Sequence, residues 1–478
     1  ARPKAVPAAA AWLTAAQVAA LESADLAAMG TAQIAQLRTA QLDALSGAQL
    51  AGLATHASAE VRLTAVLALR RLKHERITRF LADEDPAVAG EALRAIADAP
   101  IPAARPALRE AAQQLTTAPA SAFRTDDMQF RRILRSLQVE GTAAAAATLT
   151  DLAAAATFST AQRLLALRTL QNFVSPPPID PTNGLWRPLP PRDADMVRTA
   201  VAATLGKVLD EAPGEVKAPA LTLSVTLGLP VALEKLTAWA ADATQPSVLR
   251  LSALAQLPPA QALGFATHDL PELRAAAARR AATAFPDKAA GLAKDLIQRA
   301  SATDLLAAYH ILGTVATPAS AAVLAAELDR LSAGKVPEPL RLDLLEAASL
   351  RPEPELKAKL AAYEASLAKG GHSVFDLTLQ GGDPARGREV FANQGTCLKC
   401  HRAEGEGGSA GPRLTGLALV SQPAQMLESV LYPNNIVVPG FGISVVTLQD
   451  GTVLVGTVIA ETAETLTLRT ACLRSGSA

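Results

Sequence analysis

The chain has 478 residues, more than one hydrophobic core usually organises, so two or three domains are expected. Its 45 Lys and Arg residues balance 45 Asp and Glu residues, and this zero net charge gives no electrostatic basis for binding nucleic acid or an anionic membrane. Half of the residues are hydrophobic and only 3% are aromatic, which predicts a mainly α-helical protein with closely packed helices. No apolar run reaches the roughly 20 residues that a transmembrane helix needs.

An octapeptide repeat occupies residues 15–53. In one continuous helix eight residues make about 2.2 turns, so an apolar stripe with this spacing would rotate by about 80° per repeat. We therefore expect short helical turns that stack in a spiral, a helical cap over residues 1–55, with Ser23, Thr31 and Thr39 as N-caps. One continuous low-complexity helix is the alternative. Two apolar series recur every eight residues. The first is Val18, Leu26, Ile34, Leu42 and Leu50, and the second is Leu21, Met29, Leu37, Leu45 and Leu53. A glutamine precedes four members of the first series, at Gln17, Gln33, Gln41 and Gln49.

Paired helices are predicted for residues 56–365. Several segments open with a turn residue or proline, continue with an apolar residue and arginine, and then show an Ala/Leu stripe; examples are Val61-Arg62, Leu249-Arg250, Leu273-Arg274 and Leu340-Arg341. Units that recur every few tens of residues are typical of an α-solenoid. The pattern resembles HEAT-like repeats, which act as scaffolds.

A proline-rich insertion interrupts this array at residues 175–193. Its prolines exclude a helix, so we expect an ordered extended segment anchored by Trp186. Recognition of the segment by a peptide-binding partner is the alternative to a packed structural loop.

The segment Cys397-Leu398-Lys399-Cys400-His401 has the attachment signature of a c-type haem. Each cysteine sulfur adds to one haem vinyl group, and the histidine becomes the proximal iron ligand. A chance match or a zinc half-site is the alternative, but a zinc site needs about four ligands, and Cys472 is the only other cysteine. The motif therefore predicts one covalent haem c.

The residues around the motif resemble a class I cytochrome c. Gly387 and Phe391 are four apart on a predicted helix that Asp383 caps, and a flexible glycine-rich loop, residues 405–411, leads into a Gly-Pro corner before Leu414. By this resemblance Phe391 belongs to the N-terminal helix, Leu414 packs on the ring, and the Pro412 carbonyl accepts the His401 ring N–H.

The hydrophobic period changes after a predicted helix at residues 423–431. Residues 443–448, 452–459 and 465–469 read as strands, and Asp450-Gly451 is a strong hairpin signal. The predicted organisation is therefore a linker at 366–382, a small cytochrome c-like haem domain at 383–436, and an appended β-meander and tail at 437–478.

This combination resembles a bacterial family described as membrane-bound dehydrogenases, in which HEAT-like repeats precede a distinctive C-terminal c-type haem-binding domain. The resemblance covers at least residues 170–470 and includes the segments 186–193, 381–387 and 397–401. In that family a sugar-dehydrogenase-like β-propeller often precedes the repeats. This chain has none, so the resemblance assigns no dehydrogenase activity to it.

The sixth iron ligand is the second point of departure from the family. Members continue past the meander to a methionine-bearing segment and a closing helix, so the chain reads as a fragment whose sixth position is open, water-bound or filled opportunistically. Met426 is the only methionine of the haem region and is the distal candidate, although packing in a helix is the simpler role for it. His372 is a weaker candidate, and Cys472 is expected to be an unpaired thiol.

The expected function is electron transfer by a haem domain on a helical scaffold, in the periplasm or another extracytoplasmic compartment where c-type haem is attached. No catalytic residues are expected, and the redox partner protein is not indicated. One alternative is the electron-accepting part of a dehydrogenase whose propeller is a separate domain or subunit. A second alternative is a protein-interaction scaffold.

Overall fold

The computed structural model describes residues 13–37, 40–41, 44–99, 101–117, 127–370, 373–408 and 410–469, which are mainly helical with small antiparallel sheets near the C-terminal end. The chain divides into two compact units, residues 1–182 with 187–231 and residues 183–186 with 232–478. This division falls inside the range that the sequence predicts to be one repeat array. No helix in the described ranges is long and apolar enough to cross a bilayer.

Most described residues of the first unit belong to α-helices, with short 3₁₀ turns between them. The α-helices are Ala15–Ala19, Ser23–Ala27, Thr31–Ala35, Gly47–Gly52, Ala59–Arg71, Pro86–Asp98, Arg105–Gln114, Asp127–Glu140, Ala143–Ala154, Thr160–Gln171, Ala194–Glu211 and Gly214–Thr226. The 3₁₀ turns are Leu53–Thr55, Glu75–Phe80 and Pro102–Ala104.

The second unit continues the helices and ends in the strands. Its α-helices are Leu233–Ala241, Ser247–Gln256, Pro259–Leu263, Pro271–Ala284, Ala289–Arg299, Ala302–Thr314, Pro318–Ser332, Arg341–Ser349, Pro354–Lys369, Pro384–Ala392 and Pro423–Leu431. Its 3₁₀ turns are Pro286–Lys288, Glu338–Leu340, Val374–Leu379, Cys397–Lys399 and Leu417–Leu419. The strands are β1 Arg402–Ala403, β2 Glu406–Gly407, β3 Ser444–Thr447, β4 Val453–Glu461 and β5 Leu466–Arg469.

The octapeptide repeat forms separate short helices, not one long helix. Helices begin at Ala15, Ser23, Thr31 and Gly47, at multiples of eight residues. The recurring glutamine sits in the first turn, where its Oε1 accepts the N-cap backbone N–H, as Gln49 does from Ser46 at 2.8 Å.

The predicted N-caps of these helices are shifted by one residue. Glu22 and Gly30 hold the N-cap positions, and Ser23 and Thr31 are the first helical residues. The glutamine or aspartate at the third helical position fixes this register because it captures the N–H of the residue before the helix. Thr39 lies outside the described residues.

Two glutamines of the repeat also connect successive turns of the spiral. The Gln41 side chain donates to the Leu13 carbonyl at 2.6 Å, and that of Gln49 donates to the Leu21 carbonyl at 2.7 Å. Both bonds span 28 residues, or three and a half octapeptides. The apolar members inside the spiral are buried, as Val18, Leu26 and Leu50 illustrate. Residues three and a half repeat units apart are therefore in direct contact.

Within each unit, helices contact neighbours one and two positions along the chain. In the first unit, Ala143–Ala154 packs against Thr160–Gln171 and Ala194–Glu211. In the second, Pro271–Ala284 packs against Ser247–Gln256 and Ala302–Thr314. Many buried positions on these helices are alanines, which allow the backbones to approach closely.

The arginine of the helix-entry motif reaches back to the preceding segment. Arg62 and Arg274 donate to the His56 and His268 carbonyls, and Arg250 donates to the Ala240 carbonyl at 3.1 Å. Arg274 also pairs with the buried Asp304 at 2.6 Å. The motif therefore connects successive segments. Its buried guanidinium donates to carbonyls that have no partner at the end of the previous helix or in the loop after it.

An ion pair and hydrogen bonds from arginines, and not an aromatic side chain, anchor the proline-rich insertion in the first unit. Asp180 is buried beside Arg135, with 3.4 Å between Oδ2 and Nε. Arg187 donates to the Asp98 carbonyl at 3.3 Å, and Arg192 donates to the Gln138 carbonyl at 2.7 Å. The expected anchoring by Trp186 is wrong, since 69% of that residue is exposed.

The C-terminal strands agree closely with the sequence prediction. β3, β4 and β5 form an antiparallel meander with Val445 opposite Val455, and the β3–β4 turn carries Gly451 at φ 85°. The helix Pro423–Leu431 has the predicted bounds.

The end of the described chain buries few side chains. No hydrophobic side chain of residues 373–408 and 410–469 is buried, and several large ones are strongly exposed, with Leu419 at 89%. These exposed apolar side chains contrast with the many buried ones of the helices before residue 373.

Replacing Gln49 with alanine should loosen the spiral more than replacing Gln17. Gln49→Ala removes the cap of its own helix and the long-range bonds to the Ala19 and Leu21 carbonyls, a loss of about 1–3 kcal/mol. Gln17→Ala removes only the bond to the Thr14 N–H, which is worth about 1 kcal/mol or less. Amide hydrogen exchange of residues 15–53 in the intact chain measures both. Equal effects of the two substitutions would contradict the reach-back bond.

Removing the carboxylate of Asp180 should destabilise the first unit strongly. Asp180→Asn leaves the buried Arg135 without its counter-ion, which typically costs about 3–5 kcal/mol. Burial already lowers the pKa of the Arg135 guanidinium, and the nearby Asp180 offsets part of that shift. Asp195→Asn is the control, since it breaks the exposed pair with Arg198, where less than about 1 kcal/mol is expected. Thermal unfolding followed by circular dichroism should show a lower midpoint for the first variant only.

Candidate functional site

The Cys-x-x-Cys-His segment follows directly from the helix Pro384–Ala392. The Asp383 carboxylate accepts the Arg386 N–H at 3.2 Å and so caps this helix at its beginning. At its end the Gly395 N–H bonds the Val390 carbonyl, and Thr396 has a φ of 53°. This left-handed residue turns the chain sharply into the 3₁₀ turn Cys397–Lys399.

Hydrogen bonds within the turn bring the two thiols and the imidazole into one short segment. The Cys400 and His401 N–H groups both bond the Cys397 carbonyl, at 3.1 and 2.8 Å. Cys400 is exposed, Cys397 and His401 are half-buried, and both thiols are free. The turn thus brings two partly or fully exposed thiols and one imidazole together within five residues.

The glycine-rich loop is a short hairpin and not the flexible loop that its composition predicts. β1 pairs antiparallel with β2, with Arg402 opposite Gly407. Glu404 and Gly405 form the turn with φ values of 49° and 85°, the left-handed pair that a tight two-residue hairpin requires.

A ladder of backbone bonds then holds residues 408 and 410–414 against the Cys-His turn. Gly408, Gly411 and Leu414 donate to the Leu398, Cys400 and Arg402 carbonyls, each at 2.8 Å. A Cβ on Gly408 would lie 2.2 Å from the Lys399 carbonyl oxygen, so only glycine permits this approach.

The ladder places the Gly-Pro corner over the histidine ring. Nδ1 of His401 lies 2.9 Å from the Pro412 carbonyl oxygen. A carbonyl can only accept, so Nδ1 carries the proton and donates it, and the lone pair of the neutral ring is on Nε2. A Cβ on Gly411 would lie 2.8 Å from Cε1 of the ring, so the corner also restricts the ring plane.

Ion pairs that the sequence motif does not indicate hold this arrangement together. Arg388, on the helix Pro384–Ala392, pairs with Glu404 at 2.9 Å and Glu406 at 3.5 Å, which connects this helix to the β1–β2 hairpin. Arg386 bonds Glu346 at 3.0 Å and links the same helix to Arg341–Ser349. Their only sequence signal is opposite charge, which is too common to identify partners.

The other predicted residues occupy separate positions. Phe391 is half-buried at the end of the helix Pro384–Ala392, and Leu414 follows the Gly-Pro corner. Met426 is half-buried on Pro423–Leu431, which packs against the turn Val374–Leu379. His372 and Cys472 lie outside the described residues.

The donor set fits a haem better than a metal ion held by protein alone. No group of three or more His, Cys, Asp or Glu side chains in the described ranges is arranged to hold a metal ion. A haem brings four nitrogen ligands of its own and needs only axial ligation from the protein, such as a histidine whose other nitrogen is already bonded.

Comparison with known proteins identifies the repeat. The model of a family described as the ALTTAQ repeat matches residues 8–55, the region that forms the octapeptide spiral. No curated protein and no solved structure matches the chain. The matched repeat and the helical architecture define a repeat-containing, mainly helical protein.

Substituting Gly411 should release the histidine ring from the Gly-Pro corner. The new Cβ of Gly411→Ala cannot fit beside Cε1, so the ring moves and the Nδ1 bond to Pro412 is lost. Nitrogen NMR of the labelled His401 ring in the haem-free protein should show both tautomers populated, against Nδ1–H alone before substitution. Gly387→Ala is the control, because its Cβ meets nothing within 4 Å and alanine favours the helix. An unchanged tautomer in Gly411→Ala would contradict the role of the corner.

Proposed function

We propose that the protein is a c-type haem-binding electron-transfer protein whose haem segment is carried on a helical-repeat scaffold. The bond from His401 Nδ1 to the Pro412 carbonyl carries this proposal. It holds the ring in the tautomer that an axial ligand needs, with the Nε2 lone pair available to iron.

Each residue of the turn has one task in this proposal. Cys397 and Cys400 hold the porphyrin through thioether bonds, and His401 binds the iron on the proximal side. When bound, the haem supplies the redox chemistry, because its iron alternates between the ferric and ferrous states. Gly411 and Pro412 fix the orientation of the imidazole, and the ion pairs of Arg388 brace the hairpin on which this depends.

The exposed apolar surface of residues 373–469 supports the same proposal. Leu419, Val430 and Ile436 are largely exposed on the segments that follow the Gly-Pro corner. A porphyrin is a large apolar plane, and it would bury part of such a surface. A more deeply buried ring would have a higher potential, since a dry environment disfavours the charged ferric form.

The helical part supports a scaffold role in a HEAT-like solenoid. The helices contact neighbours one and two places away, and the entry arginines repeat the same bond between successive helices. Such arrays present extended surfaces and need no reactive centre of their own. With thioether attachment, the proposed site of action is the periplasm or another extracytoplasmic compartment.

Expression with a c-type maturation system tests haem attachment. The denatured chain should retain haem in the wild type, and the double variant Cys397→Ser/Cys400→Ser should retain none, because both thioether donors are lost. Cys472→Ser is the matched control and should retain haem fully, since its thiol lies outside the motif. Loss of haem from the denatured wild type would overturn the proposal.

Carbon monoxide tests the sixth position. An open or water-bound iron should bind carbon monoxide readily when reduced, with a marked change in the Soret band, whereas a protein ligand should resist it. Met426→Leu distinguishes the two cases. If methionine is the ligand, this variant should gain carbon monoxide binding, and if Met426 only packs in its helix, the spectrum should not change.

A further inference from the structure

A cleft in the second unit combines an apolar floor with two cationic side chains and one histidine. It has a volume of about 470 Å³ and lies among Ser247–Gln256, Pro259–Leu263, Pro271–Ala284 and Ala302–Thr314. Leu251, Leu254 and Ala276 contribute apolar surface, Arg279 and Arg280 contribute positive charge, and His310 contributes an imidazole. None of the described residues that line it is acidic.

Arg279 is the unusual member of this group. Its half-buried guanidinium has five N–H donors, yet it donates no hydrogen bond to another described residue. Burial lowers the pKa of Arg279, and among the described residues the only charge that opposes this shift is that of Asp383, at the start of the helix Pro384–Ala392. A partly desolvated arginine without an acceptor is rare in proteins and calls for one.

The neighbours of Arg279 reinforce its preference for an anion. Arg280 donates Nε to the Leu257 carbonyl at 2.8 Å, which fixes its guanidinium at the wall and leaves its terminal N–H groups for another acceptor. His310 has a pKa lowered by partial desolvation and then by the positive charges of Arg279 and Arg386. An anion in the cleft would oppose the effect of those positive charges on His310.

We propose that this cleft binds a small organic anion, with the anionic head held by Arg279, Arg280 and His310 and the apolar body lying on Leu251, Leu254 and Ala276. The volume is roughly three times that of a cavity that holds benzene, which allows an anion of about 10 to 20 non-hydrogen atoms. Arginine is suited to this role because its planar fork matches carboxylate and phosphate oxygens. The site does not depend on haem.

Calorimetric titration of the full chain with octanoate tests the site, with 1-octanol and inorganic phosphate as comparison ligands. Octanoate should bind at least about tenfold more tightly than either, because 1-octanol lacks the anionic head and phosphate lacks the apolar body. Equal binding of octanol would overturn the role of the cations, and equal binding of phosphate would overturn the role of the floor. No detectable binding of octanoate would overturn the proposal.

Two pairs of variants locate the binding in the cleft. Arg279→Gln should weaken octanoate binding by about tenfold or more, whereas Arg198→Gln, which removes a positive charge on the first unit, should not change it. Thr283→Glu puts a carboxylate one helical turn after Arg279, where it competes for both arginines, and Thr283→Gln adds the same bulk without charge. Thr283 is exposed, so both variants should fold. Unchanged binding in both Arg279→Gln and Thr283→Glu would overturn the assignment of the site to this cleft. That result is also expected if octanoate binds instead to the exposed apolar side chains of residues 373–469.

Discussion

Long side chains that donate to distant backbone carbonyls are the interaction on which this structure depends. A chain made of many short helices leaves many carbonyls without an intrahelical partner, and each must find a donor once it is buried. The entry arginines meet this need between successive helices, with Arg62, Arg250 and Arg274 as examples. Alanine-rich surfaces alone would pack in many registers, whereas these bonds select one.

The octapeptide spiral solves the same problem with glutamine. One end of the Gln49 side chain accepts the N–H before its own helix, and the other end donates to carbonyls one spiral turn earlier. A single residue type therefore caps the beginning of one helix and connects two distant parts of the repeat, which explains why five-residue helices, far too short to be stable alone, persist here.

The haem-attachment segment uses the same kind of bond for a different purpose. The His401 imidazole donates to the Pro412 carbonyl, and here the bond sets the tautomer of a ligand and not the register of helices. Gly408 lets the two backbones approach closely, and Gly411 leaves room for the imidazole ring beside the corner. The structural requirement and the proposed redox role thus rest on the same contact.

Local sequence determined the features that depend on spacing along the chain. The eight-residue period excludes one continuous amphipathic helix, the Cys-x-x-Cys-His motif defines the candidate site, and the change to alternation near Asp450-Gly451 marks the meander. Tertiary structure alone decided which distant residues meet. It anchored the insertion through Asp180 and Arg135 in place of Trp186, and it brought Arg279 beside His310. The reason is physical: spacing is set by bond geometry within a few residues, whereas the partner of a buried charge is set by whichever carbonyl or carboxylate the folded chain brings within reach.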